Sequence, residues 1–332
     1  MSTKKGKGLE DLTLYQLTRE LREREKNVSH EEKPGETKGK GLATSTISKR
    51  RKGISTSSTE EIHNTKKSKQ KVVYGVDNRK DYYQLSQQQK DECDGVVSLF
   101  FNDDIMDGGN GQSNIRTGIF GDAYGLCLEE KFREQPIGAF CSGFLVGDDL
   151  VATAGHCIDE AEVTNVSFVF GYRMNSQNQP QTTISSSEVY RGKEIVGRKL
   201  TDDGTDWCLV KLDRPVRNHR TFKIRKKGRI GEDQRVHVMG FPCGLPLKYA
   251  GGSWVRNNQN EAYFVANCDT FGGNSGSPVI NDNTGEVEGI LVRGEADFDN
   301  VNGCAMSNIC PDTGCRGEDI TRTTEFSNLV HE

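Results

Sequence analysis

Thr270-Phe-Gly-Gly-Asn-Ser-Gly-Ser-Pro278 sets Ser275 among glycines, and this stretch decides how the rest of the chain is read. A nucleophilic serine needs two backbone N–H groups aimed at the developing oxyanion, and glycines permit the tight backbone and the close substrate approach that this demands. In isolation, a glycine-rich turn without chemistry would look the same. Upstream, Val151-Ala-Thr-Ala-Gly-His-Cys157 places His156 just after an apolar strand. Histidine titrates near neutrality without help, as a general base for hydrolysis should, yet a packed structural histidine fits this stretch equally well. Between them, Gly204-Thr-Asp-Trp-Cys-Leu-Val-Lys-Leu212 puts Asp206 at the mouth of a buried strand, where a carboxylate can accept from an imidazole N–H and hold its tautomer. Alone, that aspartate is a turn residue.

Around these stretches, short β-branched and apolar runs recur at 95–101, 142–146, 163–170, 236–239, 262–265 and 287–292, separated by Gly, Asp and Asn turns. Such spacing predicts an all-β fold of short antiparallel strands closed into barrels or a sandwich.

His156, Asp206 and Ser275 occur in the chain order of the chymotrypsin-type triad, not the subtilisin or α/β-hydrolase order. Residues 72–330 thus resemble the chymotrypsin-like serine peptidases, and within them the bacterial glutamyl endopeptidases. Val72-Val-Tyr-Gly-Val-Asp-Asn-Arg79 resembles a mature N-terminus of that branch, Asn274 stands before the serine where trypsin has Asp, and Asp269-Thr270-Phe271 precedes the loop. The resemblance implies two six-stranded antiparallel barrels with the active site in the cleft between them. It implies an oxyanion hole from the N–H groups of Gly273 and Ser275, and a Cys141–Cys157 disulfide, whose 16-residue loop corresponds to about 3 kcal/mol in the chain-entropy model.

Specificity is where the resemblance breaks. Glutamyl endopeptidases hold an acidic side chain partly with a histidine one strand after the nucleophile, and here Leu291 takes its place in Gly289-Ile-Leu-Val-Arg-Gly294. The candidate substrate pocket comprises Asp269, Thr270, Leu291, Arg293 and Gly294. Arg293 would supply a positive charge for acidic substrates, or serve only as a rim residue. Asp269, six residues before the serine, is where trypsin places its aspartate for Arg or Lys. Both specificities stay open.

The net charge of −4 hides a division. Residues 1–71 hold 13 Lys and 5 Arg against 9 Glu and 1 Asp, a net of +8, which leaves −12 for 72–332. Residues 1–71 read as a basic, mostly disordered leader or pro-segment, and 72–332 as the peptidase domain. Leu9, Leu12, Leu14, Leu17 and Leu21 mark a short amphipathic helix over 8–27, expected to be marginal for want of a packing partner. The basic runs 49–52 and 66–71 read as solvated linker, and no nucleic-acid partner is expected. All ten cysteines lie after residue 92, which favours an oxidising, extracellular or periplasmic setting, although the start of the chain has no apolar signal core. Beyond Cys141 and Cys157 no pairing is assigned. Cys304, Cys310 and Cys315 lack a C-x-x-C or nearby His, so no metal and no cofactor is called for. No apolar run approaches the roughly 20 residues of a membrane span.

The reading is therefore a monomeric serine endopeptidase acting on proteins or peptides through an acyl-enzyme on Ser275, made as a precursor cut at Lys71–Val72. The alternative is a catalytically silent scaffold that bears the triad and binds a partner through its basic tail.

Overall fold

The computed structural model describes Leu9 and residues 12–31, 57–62, 72–294 and 297–331. Two closed six-stranded antiparallel barrels account for most of it, as the sequence led us to expect. The first is made of β1 (Val96–Phe101), β2 (Cys141–Gly147), β3 (Leu150–Thr153), β4 (Val166–Val169), β5 (Val189–Leu200) and β6 (Asp206–Leu212), paired in the order β4-β5-β6-β3-β2-β1 and back to β4. The second is made of β7 (Arg235–Gly240), β8 (Lys248–Asn257), β9 (Tyr263–Ala266), β10 (Pro278–Asn281), β11 (Val287–Arg293) and β12 (Glu318–Arg322), in the order β7-β10-β11-β12-β9-β8, closed by β7 on β8.

Half-buried strands alternate apolar and polar residues; several here do not, because both faces are covered. β1 is buried at every position, and its Ser98 hydroxyl donates to the Val169 carbonyl at 2.8 Å across the barrel wall. Over its last residue, Phe101, packs a helix from the N-terminal region. That helix, α1 (Leu14–Glu31), buries Leu14, Tyr15, Leu17 and Leu21. Tyr15 packs against Phe101 and Phe140, with ring centroids 4.7 and 5.7 Å away. The marginal helix expected over 8–27 is thus a docked helix over 14–31, and the reason is Tyr15, an aromatic side chain outside the leucine periodicity. Leu17 and Leu21 in turn pack with Ile62, so part of the 28–71 stretch expected to be disordered is also packed. The basic runs at 49–52 and 66–71, including Lys71, fall outside the described residues.

Residues 72–81 run along the second barrel. Val73–Tyr74 pairs in parallel with Ile309–Cys310, and Arg79–Asp81 pairs with β8. Arg79 is almost fully buried, with its guanidinium paired to Asp77 at 2.7 Å and stacked 3.8 Å over the Phe271 ring. Three disulfides are formed: Cys141–Cys157, Cys127–Cys304 and Cys310–Cys315. The three cysteines weighed as zinc ligands are all consumed by them. No helix among the described residues is long and apolar enough to cross a membrane.

Candidate active site

After β3 the chain turns through Ala154 and Gly155 to His156. A side chain at 155 would sit 2.8 and 2.9 Å from the Lys199 and Trp207 carbonyl oxygens, so only glycine lets this turn lie on β5 and β6. That close approach brings His156 onto Asp206, the first residue of β6. The His156 backbone N–H donates to Oδ1 at 3.0 Å, and the ring Nδ1 lies 2.7 Å from Oδ2. A carboxylate facing Nδ1 fixes the proton there, and that tautomer leaves Nε2 with its lone pair as an acceptor. Asp206 is 1% exposed. Burial alone would raise its pKa, but the His156 charge and hydrogen bonds, with Arg293 beyond them, win and hold the carboxyl below its ordinary value.

Ser275 belongs to a turn closed by Asn274 N–H to Phe271 O at 3.1 Å and Ser277 N–H to Asn274 O at 2.9 Å. Gly273 and Gly276 have φ of +90° and +94°, which glycine adopts readily. At Gly276 a Cβ would also lie 2.0 Å from the Ser142 carbonyl oxygen. The turn is pressed onto the first barrel there: Ser142 N–H donates to Ser275 O at 2.9 Å, and its hydroxyl donates to Gly273 O at 2.8 Å. Ser142 follows Cys141, whose disulfide partner Cys157 adjoins His156, and Cys157 Sγ lies 3.6 Å from Ser275 O. One disulfide therefore connects the histidine turn to the strand that carries the serine turn. The Gly273 N–H donates to no group among the described residues.

The pocket candidates are spread apart. Asp269 is buried and accepts from Tyr74 N–H at 2.7 Å and Asn78 N–H at 2.8 Å. Burial raises its pKa to about 6 against the lowering pull of those two N–H groups. Thr270 N–H donates to Val72 O at 3.1 Å. Leu291 is fully buried in the second barrel's core. Arg293 reaches back towards the first barrel, with Nη2 donating to Gly204 O at 2.8 Å, Nε 3.2 Å from Asp319, and Nη1 3.7 Å from Asp206 Oδ2. Beside Gly294 stands a residue that sequence reading passed over, Glu318. A Cβ on Gly294 would be 2.0 Å from its Oε2, while its Oε1 accepts from the Val72 N–H at 3.4 Å. The available signal was a glutamate opening an otherwise core-like strand. Asp297, also missed, takes the Gly272 N–H at 3.0 Å.

α1 starts on the histidine turn. Leu14 N–H donates to His156 O at 2.8 Å, Tyr15 N–H to Cys157 O at 3.2 Å, and the Thr13 hydroxyl to Glu162 at 2.9 Å. Burial, with Asp159 nearby, pushes the Glu162 carboxyl up to about 7. A cavity of about 1120 Å³ lies between α1 and the serine turn, lined by Tyr15, Arg22, Phe140, Gly272 and Gly273 among others.

Residues 141–290, a span that holds His156, Asp206 and Ser275, match the family model of the trypsin-like peptidase domain. Over those 150 of its 332 residues the chain is similar to trypsin-like peptidases. It is 27% identical over 150 residues to the glutamyl endopeptidase of Bacillus licheniformis, and 30% identical over 152 residues to the extracellular metalloprotease of Bacillus subtilis. Each alignment takes in 42% of this chain and 45% of the relative, so the match spans about half the length of these relatives. A solved structure of a Glu endopeptidase in complex with MPD is similar with a TM-score of 0.45 and 17% identity, over 78% of this chain and 98% of that one. Among the described residues, no group of three or more His, Cys, Asp or Glu side chains could hold a metal ion.

Proposed function

We propose that this chain is a serine endopeptidase that is made as a precursor and processed between Lys71 and Val72. The observation that carries the reading is the buried Asp206 carboxylate, 2.7 Å from His156 Nδ1, beside a glycine-flanked serine turn fastened to the same disulfide-linked strand. Ser275 Oγ attacks the scissile carbonyl while His156 Nε2 takes its proton, then returns it to the leaving amine; Asp206 orients the ring and stabilises the imidazolium. The Gly273 and Ser275 N–H groups hold the oxyanion. Water attacks the acyl-enzyme in the second half, with His156 again as base.

Two observations favour a precursor. Ser275 and His156 are both buried in the intact chain, at 0% and 3% exposure. The Val72 nitrogen already lies 3.4 Å from the buried Glu318 carboxylate, so a freed α-ammonium would have a counter-ion at hand. Where chymotrypsin uses an aspartate before the serine, this chain has the neutral Asn274.

A fluorophosphonate probe tests the nucleophile. It should label the processed chain and fail on Ser275→Ala and His156→Ala, and Asp206→Asn should slow peptide cleavage by about 10⁴-fold. Substantial turnover by Ser275→Ala would end the reading. N-terminal sequencing of active protein tests the processing site, and active protein with Met1 still attached would refute it.

A further inference from the structure

Arg293 was a candidate for contacting substrate, but its surroundings suit another task. It ends β11 in the second barrel, and among the described residues its polar contacts are with Gly204, Asp206 and Asp319, none of them a pocket candidate. Nη2 donates to Gly204 O at 2.8 Å, in the turn between β5 and β6 of the first barrel, one residue before Thr205 and two before Asp206. Nε bonds Asp319 at 3.2 Å, and the guanidinium lies 5.9 Å from the Tyr263 ring. Nη1 comes within 3.7 Å of Asp206 Oδ2, the same oxygen that faces His156 Nδ1. The turn is shaped to receive it: Gly204 has a φ of +94°, and a Cβ there would lie 3.1 Å from Arg293 Nη2 and 2.7 Å from the Tyr263 ring.

We propose that Arg293 is a positioning residue for the His156–Asp206 pair, joining the two barrels behind it and setting the basicity of His156. The inference rests on the acyl-transfer reading above for its catalytic meaning. The physics is a competition for one carboxylate. Asp206 stabilises the His156 imidazolium that forms when the serine proton is taken, and a second cation on the same oxygen weakens that stabilisation while repelling the imidazolium directly. Arg293 thus holds His156 less basic than Asp206 alone would make it, so that the base stays deprotonated further into the acid range. Among the described residues, the other charged groups around the pair include Arg198, whose Nε donates to Gly155 O at 2.7 Å, Asp159 and Glu160 after the histidine turn, Asp203 in the β5–β6 turn, and Asp319, which is also paired with Arg316 at 2.5 Å. Removing Arg293 leaves Asp319 with Arg316 as its cation and adds negative field near His156, an effect of the same sign.

The test compares wild type with Arg293→Met, Arg293→Gln and Arg293→Lys, with thermal unfolding as the check on folding. The ring protons of His156 are titrated by NMR in the full chain carrying Ser275→Ala, a readout that needs no turnover. The His156 titration should move up by about 0.5–1 pH unit in Arg293→Met and Arg293→Gln. It should move by less in Arg293→Lys, which keeps the charge without the planar fork. In active enzyme the acid limb of kcat/KM should follow, so that Arg293→Met is roughly three- to tenfold slower near pH 6 and closer to wild type near pH 9, with its preference among substrate side chains unchanged. A titration that stays put or moves down would overturn the proposal, as would a changed preference between acidic and basic substrates. Failure of the peptidase reading itself would appear separately, as turnover surviving Ser275→Ala.

Discussion

Two stretches of the N-terminal region close on the histidine turn and the serine turn, and they hold on by different chemistry. α1 grips the histidine turn mainly with apolar side chains, Leu14 and Tyr15 in the first barrel's core, assisted by two backbone bonds to His156 O and Cys157 O. Residues 72–81 hold the region of the serine turn through mostly buried polar groups: Asp269 on the buried Tyr74 N–H and the part-buried Asn78 N–H, Glu318 on the Val72 N–H, and Arg79 over Phe271. Truncating an apolar side chain costs what its area and the cavity left behind dictate, whereas removing a buried polar partner leaves donors with nothing to receive them. The second grip should therefore be stiffer and more brittle than the first.

The largest effect expected from this difference is at Asp269. Asp269→Ala leaves the buried Tyr74 amide and the part-buried Asn78 amide without that acceptor, and should cost about 2–4 kcal/mol in urea unfolding while removing most activity. A loss under about 1 kcal/mol would mean that water replaces the carboxylate and that the grip is not brittle. Tyr15→Ala comes next, at about 3 kcal/mol of helix docking, because the ring no longer packs on Phe101 and Phe140. Limited proteolysis should show α1 cut early while the barrels unfold near their original midpoint; simultaneous loss of both would show that the helix is part of the core.

Titration distinguishes the two grips on a smaller scale. Asp269 and Glu162 both have raised pKa values, about 6 and about 7. A carboxyl of this kind favours the fold in its protonated form, so its contribution is complete below its ordinary pKa near 4 and is lost as pH rises through the raised value. Stability should fall between about pH 4 and 7, by roughly 1–3 kcal/mol for each group. Asp269→Asn should flatten the lower part of that slope, and Glu162→Gln the upper part, where α1 loosens. A slope unchanged in both variants would place the titration elsewhere. The smallest effect is expected for Arg22→Ala, which removes a partly exposed partner of the buried Asp104, a carboxylate that keeps Arg116 at 3.8 Å, and a guanidinium 4.7 Å over the Phe101 ring, worth about 0.5–1 kcal/mol of docking.

What the amino-acid sequence discloses follows the range of each interaction. The barrel strands and the contexts of His156, Asp206 and Ser275 are contiguous strings, so local pattern is enough to find them. The contacts that decide what Asp269 and Arg293 do come from remote segments: Tyr74 and Asn78 for one, Gly204, Asp206 and Asp319 for the other. Nothing near either residue foretells those partners, which is why both read as pocket candidates. The docking of α1 is hidden for a related reason, since its deciding side chain, Tyr15, interrupts the leucine pattern and its receptor, Phe101 with Phe140, is assembled only by pairing β1 with β2. Cys127–Cys304, 177 residues apart, is equally invisible from spacing.

Cys93 and Cys208 are buried thiols in a chain that also holds three disulfides, and burial drives both far above their ordinary pKa. Inside the fold they are inert, because the attacking species in disulfide exchange is the thiolate. Heat removes that protection at one stroke. Once the barrels open, the thiols ionise more readily and meet the released cystines in the same chain, and reshuffling then competes with refolding. The lifetime of this molecule at high temperature is accordingly a race between two rates, faster to be lost in alkaline buffer, and not a balance that cooling restores.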